Sequence, residues 1–126
     1  MRKDKAEAAE AARTAEHFAG ALVAGDPAAA ARFFSPAGTC LSRDGTEVHG
    51  RGPIGELLAQ VTGSEHRLGI HLGRTLVGGP VALSTQYWTR RSEPGRREGF
   101  EETSTARLVL GRAERRWEIL IASPWE

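Results

Sequence analysis

The chain has 126 residues, with 17 basic against 16 acidic side chains and a hydrophobic share of 40%. Those figures describe one globular domain, long enough to bury about two-thirds of its unfolded surface, and they leave no global field to attract nucleic acid or an anionic membrane. A single cysteine, Cys40, excludes an internal disulfide, so the fold does not depend on an oxidising compartment.

In chain order, the start Met1-Arg2-Lys3-Asp4-Lys5 lacks the apolar core of a signal peptide, and no apolar run is long enough to span a bilayer. The expectation is a single cytoplasmic domain over residues 1–126. A first helix is predicted from Asp4 to Ala24, where Ala8, Ala11, Ala15, Phe18 and Leu22 recur at steps of three and four and form one apolar stripe. Gly25 ends it. Asp26-Pro27 then caps a second helix running to Phe34, which must stop before Pro36. A short strand Ala37–Ser42, the turn Arg43-Asp44-Gly45-Thr46 and a returning strand Glu47–His49 make a hairpin, for which Asp-Gly is a strong signal. Gly52-Pro53 opens a third helix with Ile54, Leu57, Leu58 and Val61 on its apolar side, closed by Gly63. Leu68, Ile70 and Leu72 alternate as the next strand.

The remainder reads as a meander of three strands, Pro80–Ser92, Glu98–Gly111 and Arg115–Ser123, with turns at Glu93-Pro94-Gly95-Arg96 and Arg112-Ala113-Glu114. Helices followed by long strands imply an α+β fold with the helices on one face of the sheet. Centring the first turn between Pro94 and Gly95 sets Tyr87 against Glu102, Thr85 against Ser104 and Leu83 against Ala106; centring the second between Ala113 and Glu114 sets Leu110 against Trp117 and Ser104 against Ser123. One face then runs from Val81, Leu83, Leu108, Leu110, Trp117 and Ile119 to a polar layer of Thr85, Tyr87, Glu102, Ser104 and Ser123, as suits a pocket closed by core and lined near its mouth by hydrogen-bonding groups. A one-residue bulge in Pro80–Ser92 would instead turn Gln86 and Trp88 inward.

The run Phe33-Phe34-Ser35-Pro36-Ala37-Gly38-Thr39-Cys40-Leu41-Ser42-Arg43-Asp44-Gly45, then Gly50-Arg51-Gly52-Pro53-Ile54, and the close Ala106-Arg107-Leu108-Val109-Leu110-Gly111-Arg112 with Arg116-Trp117-Glu118-Ile119 resemble the SnoaL-like branch of the nuclear-transport-factor-2-like (NTF2-like) superfamily. The resemblance implies a cone: a curved mixed sheet around a long N-terminal helix, a pocket in the mouth, and commonly a homodimer through the outer sheet face. It also implies a range of activities, from ketosteroid isomerases, polyketide cyclases and dehydratases to proteins without catalysis, among which a fold does not choose. The chain departs from the family pattern at two places. Pro36-Ala37 stands where relatives carry an acid before the first strand, and Ile121 or Ser123 where many carry a late histidine, so no catalytic residue is inherited.

The candidates therefore rest on their own chemistry. Glu102, drawn into an apolar mouth, would act as general acid or base; Tyr87 would hold an oxyanion; His66 would shuttle a proton; and Thr85, Ser104, Ser123, Trp117 and Phe18 would contact the substrate. Against this stands the plainer reading of Glu102 as a solvated edge carboxylate beside Glu101. His66 and His71 fall on opposite faces of one strand and make no metal site, no cofactor is expected, and Cys40 reads as a buried filler. Arg90, Arg91, Arg96 and Arg97, and Arg112, Arg115 and Arg116, read as two solvated hairpin tips at opposite ends of the sheet, one of which could draw an acidic ligand to the pocket. Two expectations follow. One is a cofactor-independent isomerase, cyclase or dehydratase acting on a mostly apolar or polyketide-like molecule; the other is a non-catalytic dimeric module that holds a ligand or meets a partner through the outer face with Trp88 and Thr103.

Overall fold

The computed structural model describes residues 2–63, 66–92 and 101–126. Three helices, α1 (Arg2–Val23), α2 (Pro27–Ala31) and α3 (Arg51–Val61), cover one face of a six-stranded sheet made of β1 (Phe34–Leu41), β2 (Glu47–His49), β3 (His66–Gly78), β4 (Val81–Ser92), β5 (Glu101–Ala113) and β6 (Arg116–Ser123). The strand order is β2-β1-β6-β5-β4-β3. All neighbours are antiparallel except β1 and β6, which run parallel, so the sheet is mixed and the fold α+β. Among the described residues no helix is long and apolar enough to cross a membrane.

The helices form where the sequence places them. Ala11, Ala15, Phe18 and Leu22 of α1 are buried, and the small side chains let the helix lie close to the sheet while Phe18 packs edge-on to Phe34, with ring centroids 5.7 Å apart. Asp26 caps α2, its carboxylate accepting the Ala29 N–H at 3.0 Å, with Pro27 in the first turn. That helix ends at Ala31, earlier than expected, because Phe34 already belongs to β1: the Phe33 carbonyl accepts the Ile119 N–H at 2.8 Å and draws the chain into the sheet. In α3, Ile54, Leu58 and Val61 are buried and Leu57 is half-buried.

The β4–β5 register differs from the expected one. Tyr87 pairs with Thr105, Trp88 with Ser104 and Arg90 with Glu102, an offset of three residues that reverses the parity of β4. The inward set is Ala82, Ser84, Gln86 and Trp88, all buried, and the outward set is Val81, Leu83, Thr85 and Tyr87. Both parities carry apolar residues, so alternation alone does not choose between them. Burial of the Trp88 indole does: a ring of 150–250 Å² contributes at most roughly 4–6 kcal/mol, and its N–H finds an acceptor inside. Trp88 Nε1 donates to Gln86 Oε1 at 3.0 Å, Gln86 Nε2 donates to the Ala15 carbonyl of α1 at 2.9 Å, and Ser84 meets Thr75 at 3.0 Å. Polar residues that looked outward-facing are thus satisfied in the core.

In the β5–β6 pairing Leu110 opposes Ile119 and not the expected Trp117, an offset of two residues, and a bulge between Val109 and Leu110 then sets Leu108 opposite Ala122. The extra residue, Leu120, lies over Gly111, where an added Cβ would stand 2.7 Å from its Cδ1. Ser123 therefore pairs with the exposed Arg107 on the outer face instead of with Ser104. Outside, Leu76, Leu83, Val109 and Ile121 stand directly opposite one another across β3 to β6.

Candidate functional site

The Glu102 end of the sheet holds a pocket of about 370 Å³. Ser42, Arg43 and Asp44 reach it from the turn after β1, Leu57, Gln60 and Val61 from α3, Arg90 from β4 and Trp125 from the segment after β6. Each wall follows from local folding. Gly45 takes a φ of 87°, which the turn requires, and the Ser42 and Thr46 backbones close it with a hydrogen bond of 2.9 Å. The Asp44 carboxylate accepts from the Ser42 hydroxyl and from the Thr46 N–H, and these bonds hold its pKa down at about 2. The turn that presents Arg43 is therefore tied from within. Trp125 is placed by backbone bonds between Glu126 and Thr105, 2.8 and 3.0 Å long, which align the last residues beside β5.

Arg43 reaches across to Glu102. Its Nη1 donates to Oε2 at 2.6 Å and its Nη2 stands 2.5 Å from Oε1, a two-pronged pair that only the carboxylate form of Glu102 offers. This hydrogen bonding raises the Arg43 pKa above its ordinary value. The same guanidinium lies over the Trp125 ring, 4.5 Å from its centroid, and that ring meets Trp88 edge-on at 5.8 Å. Arg90, opposite Glu102 in the sheet, is 6.0 Å from the Trp125 centroid. Desolvation, and then the charge of Arg43, lower its pKa against the opposing pull of Glu102. Among the described residues the buried Nε of Arg90 and Nε1 of Trp125 have no hydrogen-bond partner.

Of the residues singled out in the sequence, Glu102 and Ser104 keep the expected inward parity on β5. Glu102, however, is met by a guanidinium and not by an apolar mouth. Tyr87 is a correction: it is exposed on the outer face between His71 and Thr105, lines a separate hollow of about 430 Å³ with Arg67, Thr89 and Arg91, and does not pair with Glu102. Thr85 is on the same outer face, paired with Arg107, as is Ser123. Phe18 and Trp117 are buried in the core cluster and are not among the residues that line the mouth pocket. Trp88, expected outside, is in the core. His66 begins β3 opposite Ser92, and its side chain lies outside the described residues, as do Phe100, Arg96 and Arg97. Cys40 is fully buried, and burial pushes its thiol up to about 12.

Sequence reading missed Arg43, Arg90 and Trp125 as a group. Once Trp88 is turned inward, Arg90 shares its parity, and that was the available signal; the 59-residue separation of Arg43 from Glu102 left none. The tip cluster also divides, since Arg112 pairs with Glu7 of α1 at 3.1 Å and Arg116 with Glu118 at 3.1 Å. Glu118, on the parity opposite Trp117 and Ile119, is held between Arg116 and Arg51. Among the described residues no three His, Cys, Asp or Glu side chains stand together as a metal site.

This architecture, a long N-terminal helix packed on a mixed six-stranded sheet with a pocket at one end, is the NTF2-like, cystatin-like fold. No protein-family model matches the sequence, and no curated protein matches it. Solved structures do. A domain of unknown function with a cystatin-like fold from Nostoc punctiforme superposes with a TM-score of 0.76 at 19% identity, over 99% of this chain and 78% of that one. A candidate dehydratase of the NTF2-like family from Streptomyces avermitilis gives 0.76 at 18% identity, over 96% and 97%. A hypothetical protein with a ketosteroid isomerase-like fold from Catenulispora acidiphila, in complex with trimethylamine, gives 0.70 at 16%, over 90% and 84%. At such identities the likeness is one of fold.

Proposed function

We propose that the chain binds a small organic molecule in the mouth pocket and works as a ligand-binding module. One observation carries this reading: the pocket combines an apolar floor, Leu57 and Val61, with two buried donors lacking partners, while both oxygens of the carboxylate that would have to move protons are engaged by Arg43. A volume of about 370 Å³ suits a small ligand. The Catenulispora relative in fold, with its trimethylamine, supports use of this architecture for holding a small molecule.

A second reading keeps acid/base turnover of the isomerase, cyclase or dehydratase type. It is favoured by the inward parity of Glu102, next to the pocket-lining Arg43 and Arg90, with Ser104 on the same face, and it retains His66 as a proton shuttle. A ligand that drew Arg43 away would leave Glu102 facing it. One experiment separates the two: a panel of small apolar, polyketide-like and acidic compounds is screened for thermal stabilisation of the wild type and of Val61→Trp, which fills the floor, and each hit is then incubated and checked for chemical change. The binding reading expects hits that Val61→Trp loses and that come back unchanged. Hits converted by the wild type but not by Glu102→Gln would replace it with the enzyme reading, and hits indifferent to Val61→Trp would refute both.

The outer apolar row, Leu76, Leu83, Val109 and Ile121, supports a second copy of the chain as its partner, since a row in register across four strands presents a matching surface to its own twofold mate. Leu83→Glu is expected to convert a dimer to monomer in light scattering, and a wild type already monomeric at high concentration would end that proposal. A cytoplasmic setting without nucleic-acid or membrane partners fits the near-balanced charge of 17 basic to 16 acidic side chains.

A further inference from the structure

Resting on the reading of the mouth as a ligand pocket, we infer that its ligand is an amphiphilic monocarboxylate, with the carboxylate on Arg90 and Trp125 and the apolar body over Leu57 and Val61. The charge pattern of the mouth leads there. Among the described residues two guanidiniums, Arg43 and Arg90, face one inner-face carboxylate, Glu102, and Arg43 engages both of its oxygens. Asp44, which lines the pocket, is engaged within its own turn by Ser42 and Thr46. Among the described residues the Arg90 Nε is left without a hydrogen-bond partner, and the guanidinium lies partly out of water beside a second cation, with Glu102, already engaged by Arg43, to offset it. Such a group gains from any anion that reaches it.

Arg90 Nε and Trp125 Nε1, both closed off from water, and the terminal guanidinium N–H groups of Arg90 are donors only, and none of them accepts a hydrogen bond. A ligand group made only of acceptors therefore matches, and the planar fork of arginine fits a planar carboxylate with two parallel hydrogen bonds. A cationic head would leave these donors unpaired, and a neutral carbonyl would accept from them without offsetting the charge of Arg90. Leu57 and Val61, which line the pocket on the last turns of α3, supply the apolar surface that a bare inorganic anion would not use. The site thus distinguishes a carboxylate with a short chain or ring from free phosphate.

The test uses octanoate, its neutral near-isostere octanamide, and inorganic phosphate, titrated into the wild type, Arg90→Gln, Arg90→Lys and Val61→Trp by calorimetry, with melting curves confirming that each variant is folded. The expected result is octanoate bound roughly ten- to hundredfold more tightly than octanamide, the range of a charge-assisted hydrogen bond, and phosphate bound weakly. The preference should disappear in Arg90→Gln and return in part in Arg90→Lys, which restores charge without the fork. If octanoate and octanamide bind equally, or the preference survives Arg90→Gln, the carboxylate assignment is overturned while a Val61→Trp defect for both would keep the pocket reading standing. If phosphate alone matches octanoate, the amphiphile claim is wrong. If Val61→Trp changes neither compound, the pocket reading itself falls, and the inference with it.

Discussion

Gln86→Leu isolates the polar relay that ties α1 to the sheet. Gln86 is fully buried, donates 2.9 Å to the Ala15 carbonyl and accepts 3.0 Å from the Trp88 indole. Leucine fills nearly the same volume, so cavity terms are small. What changes is hydrogen bonding: the Trp88 N–H, buried with its residue, loses its acceptor at a cost of about 1–3 kcal/mol, and the bond to Ala15 removes about 1 kcal/mol more. Greater apolarity at position 86 offsets about 1 kcal/mol. The variant should therefore be less stable by about 2 kcal/mol, which for 126 residues lowers the melting temperature by roughly 8 °C. Urea denaturation of Gln86→Leu, Trp88→Phe and the double variant provides the assay. The two changes should couple by about 1–2 kcal/mol, because deleting the indole N–H relieves the orphan created by Gln86→Leu. Additive effects, or a Gln86→Leu variant within about 0.5 kcal/mol of wild type, would refute the buried relay and with it the inward parity of β4.

Other consequences follow from the same geometry. Cys40, with its thiol pushed up to about 12 by burial, should resist thiol reagents at pH 8 in the native protein and react at the ordinary rate in denaturant; rapid native labelling would contradict its placement. Asp44 has a folded pKa of about 2 against an ordinary 3.8, so its bonds to Ser42 and Thr46 stabilise the hairpin fully above the ordinary value and are lost as pH falls through about 2. Carboxyl resonances followed by NMR should show that low midpoint, and an Asp44 titrating near 3.8 would mean that the turn is open in solution.

Much of the helical layer was legible because its signals are local. The stripe through Ala11, Ala15, Phe18 and Leu22, the Asp26 cap and the Asp44-Gly45 turn each depend on residues within a few positions of one another. The sheet was legible in its strands but not in its pairing. Val81, Leu83 and Tyr87 compete with Ala82 and Trp88 for the inward face, and the choice is made by packing of Trp88 against Phe18 and by the Gln86–Ala15 bond, contacts that span up to 71 residues. The parallel pairing of β1 with β6, which sets Cys40 beside Ala122, has no local signature. That register error removed Thr85 and Tyr87 from the site, and the bulge at Leu120 removed Ser123. In their place stand Arg43 from the turn after β1, Arg90, expected at a solvated hairpin tip, and Trp125 from the segment after β6.

The central claim is that ligands enter beside Trp125. Three tryptophans, Trp88, Trp117 and Trp125, give three indole N–H signals in a nitrogen-labelled sample, and titration with octanoate followed by proton–nitrogen correlation NMR reads all three at once. The account predicts a saturable shift of the Trp125 signal, a smaller one for Trp88, whose ring is 5.8 Å away, and a stationary Trp117. A stationary Trp125, with or without movement of Trp117, would contradict it.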